Sequence, residues 1–105
     1  MVVRLTSSAG ILLAQSVVAV RKAHQQGVSE QQLVIIGYRS GYSVDLHISL
    51  PGAHDLLTTT TDERTLKELS RTGLIKLLRP GYTWQFTITQ RGFAYYDEQD
   101  GTQST

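Results

Sequence analysis

Apolar side chains recur along this chain in two rhythms, and the rhythms mark its elements. From Ile11 to Val20 apolar positions are nearly continuous. Ile11, Leu12, Ala14, Val18 and Ala19 share one broad helical face, and Leu13, Val17 and Val20 widen it. Ser7 and Ser8 are the expected N-caps. Arg21, Lys22 and His24 suit the negative end of the helix dipole, and Gly27 is placed to stop the helix. Residues 42 to 50 keep a period of two. Tyr42, Val44, Leu46, Ile48 and Leu50 alternate with Ser43, Asp45, His47 and Ser49, which predicts a strand with one buried face, ended by Pro51-Gly52.

Between these two, Ser29 is followed three positions later by Gln32, the form of a capping box. The pattern therefore favours a short helix through Leu33, Ile36 and Gly37, closed by Gly41. The β-branched content of Leu33 to Ile36 also fits a buried strand. The choice matters for function, as argued below.

Ala53 to Thr61 reads as a connector. Its four threonines, Thr58 to Thr61, are poor helix formers and good caps. Asp62 and Glu63 suit a first helical turn, and Leu66, Leu69 and Ser70 carry a face to Gly73, so a helix is expected over 62–72. Leu74 to Leu78 is a short strand containing Lys76, Arg79-Pro80-Gly81-Tyr82 a turn, and Trp84 to Thr89 the returning strand. A short helix from Gln90 to Tyr96 should follow, then a flexible polar tail over 99–105.

At 105 residues the chain is one domain, expected over 1–98. A hydrophobic content of 40% permits one modest core, for which a homodimer would be a useful supplement. No cysteine is present, so disulfides and thiol chemistry are excluded. The run Ile11–Val20 is interrupted by Gln15 and Ser16 and is too short to span a bilayer. It also lacks the flanks of a secretory signal, so the expected location is the cytoplasm, away from membranes. Net charge is only +1, but its distribution is uneven. From Arg64 to Arg91 lie Arg64, Lys67, Arg71, Lys76, Arg79 and Arg91, with Glu68 the sole acid. Such a stretch suits a polyanion partner, and it equally suits a solvated face.

Two phrases carry a resemblance. Leu66-Lys67-Glu68-Leu69-Ser70-Arg71-Thr72-Gly73-Leu74-Ile75 is similar to the end of the recognition helix in winged helix-turn-helix proteins. Ile88-Thr89-Gln90-Arg91-Gly92 resembles the close of their second wing strand. The last third of the chain matches best. The resemblance implies a small α+β winged-helix domain: three to four helices, a C-terminal two-stranded wing, and here a possible extra strand at 42–50. Two features depart from the pattern. Residues 42 to 61 are long for a simple helix-turn-helix, and the wing turn holds one charge, Arg79.

The function this resemblance implies is DNA-binding transcription regulation, with helix 62–72 in the major groove. Arg64 would read guanine edges, and Thr60, Thr61 and Lys67 would anchor phosphates. Thr65 and Glu68 would lie on or near the exposed helix surface, with Arg71 toward its end. On the wing, Arg79 and Tyr82, with Lys76 beside them, would hold the flanking backbone. A hairpin over residues 30 to 50 would remove the second helix, and the DNA-binding reading by a helix-turn-helix would fall with it, leaving only the C-terminal wing. A winged helix that binds protein instead is the alternative, supported by the low net charge, the acidic pair Asp62-Glu63 and the aromatic Tyr82 and Trp84. An enzyme is not expected. His47, His54 and Asp55 are the only cluster with chemical promise, and no metal, cofactor, phosphate loop or nucleophile motif is indicated.

Overall fold

The structure, a computed structural model, describes residues 4–28, 33–50, 54–78 and 83–103. Its elements are α1 (Ser7–Gln25), β1 (Ile35–Ser40), β2 (Ser43–Ile48), a 3-10 turn (His54–Leu56), β3 (Thr59–Thr61), α2 (Glu63–Arg71), β4 (Ile75–Leu77), β5 (Thr83–Ile88) and α3 (Gln90–Gln103). The fold is α+β, with one five-stranded antiparallel sheet in the order β3-β2-β1-β5-β4.

The register gives the sheet one covered face. Ile35 pairs with Ile48 on one side and Phe86 on the other, and Gly37 with Leu46 and Trp84. Ile35, Leu46, Ile48 and Phe86 are buried with Leu13 and Val17 of α1 and Leu66 and Leu69 of α2 in a single core, against which Phe93 and Tyr96 of α3 pack. Tyr38, Asp45 and Lys76 alternate onto the other face and are exposed.

Residues 33 to 41 correct the helix expectation. They carry β1, the central strand, which is hydrogen-bonded along both edges to β2 and β5. Pairing with residues up to fifty positions away outweighs a local helix signal. The capping-box residues Ser29 to Gln32 lie outside the described residues, as do the turns Pro51-Gly52 and Arg79 to Tyr82.

Other elements fall close to expectation with different details. β2 forms within the alternating stretch. The cap of α1 is Thr6 rather than Ser7 or Ser8, its hydroxyl accepting from the Ala9 amide at 3.3 Å. Gly27 closes that helix with a φ of 97°, while the Gly27 and Val28 amides donate to His24 and Ala23 carbonyls. The threonine run is not a mere connector: Thr59–Thr61 form β3 against β2, as β-branched residues readily do. β4 and β5 pair as the wing pattern requires, but as the end of the five-stranded sheet rather than a free two-stranded ribbon. α3 continues to Gln103, into the segment expected to be a tail.

The start of α3 is fixed closely. Thr89 donates to the Gly73 carbonyl at 2.7 Å and accepts from the Gly92 amide at 3.0 Å, so one hydroxyl caps α3 and ties it to the exit of α2. Gly92 lies so near Leu74 that a Cβ there would collide with the Leu74 carbonyl.

Candidate nucleic-acid interface

Helix α2 is short and strongly two-sided. Thr65, Leu66 and Leu69 are buried. At about 100° per residue, Arg64, Lys67 and Arg71 fall within about 60° of one another, opposite that buried set. All three are exposed. Two arginines elsewhere in the molecule are paired, while among the described residues Arg4, Lys22 and Lys76 make no ion pair. Arg21 holds Asp97 with two hydrogen bonds of 2.6 and 2.9 Å, and Arg39 pairs with Glu63. Among the described residues no ion pair is made by Arg64, Lys67 or Arg71. Arg91, exposed in the first turn of α3, sits beside Gly73 at the exit of α2 and lengthens the row. It belongs with the other three, and the Thr89–Gly73 bond that puts it there is not readable from spacing.

Polar bonds hold α2 in place. Asp62, not one of the threonines, is its N-cap, accepting from the Thr65 amide and the Thr65 hydroxyl at 2.8 Å each. The amide bond, then the hydroxyl bond, hold the Asp62 carboxyl below its ordinary pKa, and the charge of Arg64 adds a little. Glu68 reaches across to α1, accepting from the Thr6 amide and hydroxyl at 2.9 Å each.

The expected contact residues therefore separate into groups. Arg64, Lys67 and Arg71 come together on one stripe. Thr61 is half-buried at the end of β3, paired with Val44 and adjacent in sequence to the Asp62 cap of α2. Thr65 is buried and spent on the cap, which corrects its placement on the exposed surface. Glu68 is half-buried and spent on α1. Thr60 and Lys76 lie on the opposite face of the sheet, on its two edge strands, with Thr60 bonded to Asp45 at 2.9 Å. They cannot join a surface centred on α2. Arg79 and Tyr82 lie outside the described residues.

Two clefts border the N-terminal end of α2. The larger, about 560 Å³, runs between Ile11 and Gln15 of α1, Tyr42 in the β1–β2 turn, and Asp62 and Thr65. A smaller one, about 320 Å³, is lined by Arg39, Tyr42 and Glu63. Of the histidines considered for chemistry, His47 stacks on Tyr38 with ring centroids 5.2 Å apart. Among the described residues no three histidine or acidic side chains converge as metal ligands, and no helix is long and apolar enough to cross a membrane. Trp84, considered as an interface anchor, is half-buried and packs against the core. No known protein family matches this chain, and neither a curated protein nor a solved structure is significantly similar to it.

Proposed function

We propose that this protein is a transcription regulator that binds duplex DNA through α2. The observation that carries the reading is the clustering on one face of α2 of Arg64, Lys67 and Arg71, three exposed cations that make no ion pair among the described residues. Placed along a groove, such a stripe releases counterions from the phosphates, and the planar guanidinium of Arg64 can address a guanine edge. Of the acids at the start of the helix, Glu63 is paired with Arg39, while Asp62 keeps its negative charge, offset in part by Arg64.

The winged-helix form of this reading keeps α2 as the groove helix and the β4–β5 turn, with Arg79 and Tyr82, as the backbone contact. The β1–β2 hairpin over residues 35–48 removes the second helix and with it the helix-turn-helix form of DNA binding, so the reading rests on the cationic face of α2 alone. In place of that helix, the Glu68–Thr6 bonds steady α2 from α1. A regulator of this kind works in the cytoplasm, in keeping with a chain free of cysteine.

A salt titration against mixed-sequence duplex DNA tests the proposal. Affinity should fall steeply with salt. Arg64→Ala/Lys67→Ala/Arg71→Ala should weaken binding and shallow the log–log slope by about 0.9 for each phosphate contact removed. Failure to bind at low ionic strength sinks the reading.

One observation favours protein contact as a second reading. Helix α1 has no charged residue from Ser7 to Val20, yet Ile11 and Val18 stay 59% and 49% exposed. On the exposed stripe of α1, Ile11 and Val18 alternate with Gln15 and Lys22, an amphipathic surface open to a partner. Pairing of α1 with a second copy would cover it, and light scattering should then give a dimer that Ile11→Glu/Val18→Glu converts to a monomer. A wild-type protein that stays monomeric when concentrated rules this out.

A further inference from the structure

We infer that Tyr42, at the tip of the β1–β2 hairpin, is a stacking contact for the nucleic acid held by α2. The inference rests on the DNA-binding reading above and extends it to a residue and an element that reading does not use. Ser40 pairs with Ser43, which leaves Gly41-Tyr42 as a two-residue loop. Gly41 has a φ of 63° and Tyr42 does not share that sign, the pattern of a type II′ hairpin turn. That turn needs glycine at its first position and asks nothing of the second side chain. Tyr42 is nonetheless a large aromatic, and it is 99% exposed. Its ring serves no packing in this fold.

Its position is not arbitrary. The Arg39–Glu63 ion pair draws the hairpin against the first turn of α2, and Tyr42 lines both clefts there, with Glu63 in one and with Asp62 and Thr65 in the other. Tyr42 thus stands beside the N-terminal end of the helix that carries Arg64 and Lys67, its ring open to solvent. Cations that hold the backbone, with an aromatic face beside them for a base, are the two components by which proteins grip nucleic acid. On a duplex the ring would act as a wedge at an opened base step. Of the two nearest acids, Glu63 is paired with Arg39 and Asp62 keeps a negative charge that Arg64 offsets in part, so the approach is not closed by two free carboxylates.

The test compares the wild type, Tyr42→Ala, Tyr42→Phe and the triple alanine variant of the stripe. Each is titrated with a mixed-sequence duplex and with the same duplex carrying one bulged, unpaired base. Tyr42 touches solvent only, so its variants should melt with the wild type. The expected result is a preference of the wild type for the bulged duplex. Tyr42→Ala should abolish that preference and bind the bulged duplex about tenfold more weakly, with the salt slope unchanged, while Tyr42→Phe keeps both. If the wild type binds, the stripe variant binds poorly and Tyr42→Ala matches the wild type, the stacking role is overturned and the DNA-binding reading stands. If the wild type binds neither duplex at low salt, both fall.

Discussion

Helices α1 and α2 belong to the same core and are held there by opposite means. α1 spans 19 residues and buries eight of them, with no charge in its first three and a half turns. α2 spans nine residues and buries three, and five of its nine side chains are charged. The long helix is fixed by burial. The short one has too little apolar surface for that, and is located by bonds at its ends and flank: Asp62 to Thr65, Glu68 to Thr6. An element located by a few polar bonds can leave a whole face free, and α2 leaves that face cationic.

The largest expected effect tests burial at α1. Leu13 is 1% exposed, and Leu13→Ala should cost about 2–5 kcal/mol, read as the shift of a denaturant midpoint. A loss under about 1 kcal/mol would mean that α1 is not the anchor described here. Next comes Gly92, where the two helices' neighbour α3 is seated on Leu74. Gly92→Ala should cost about 1–3 kcal/mol, because the new Cβ meets backbone rather than a side chain that can swing away. At α2 the expected loss is smaller. Asp62→Ala removes the cap and should cost about 1 kcal/mol.

Asp62 also predicts a pH dependence. Its bonds to Thr65 lower the folded pKa beneath the unfolded one, so its contribution is present above the ordinary carboxylate value of about 3.9 and is lost as pH falls through the lower, folded value. Asp97, lowered chiefly by its bond to Arg21, acts in the same direction. In acid melts Asp62→Asn, which can still cap, should show less loss than the wild type. An equal loss in both would place the acid sensitivity elsewhere. The smallest effect is on the free face: alanine at Arg64, Lys67 or Arg71 should change stability by no more than about 0.5 kcal/mol each, since none makes an ion pair among the described residues and Arg64 acts only weakly on Asp62. A substantial loss there would mean that the stripe is structural, and the contrast between the helices would fail.

The stretch from Asp62 onward was readable from the sequence because its signals are local. Gly73 and Thr89 mark ends, Leu66 and Leu69 mark a face, and Trp84, Phe86 and Ile88 alternate. Residues 33 to 41 misled for a related reason. The apparent cap before them is a local signal, whereas the strand they form owes its existence to β5, some fifty positions later. The candidate site divides the same way. Helical spacing alone groups Arg64, Lys67 and Arg71. Thr60 and Lys76 needed the strand register to place them on the other face of the sheet, and Arg91 and Tyr42 needed tertiary contacts to bring them near α2.

The middle position of β1 sets an order of events during synthesis. β2 follows within three residues and can zip onto it at once, but the other edge of β1 must wait until Thr83–Ile88 have left the ribosome. Until then the nascent chain carries a hairpin with one naked edge, Ile35 and Gly37 included. Its sheet closes only after Thr83–Ile88 have emerged, so the two edges of its central strand are covered in sequence rather than together.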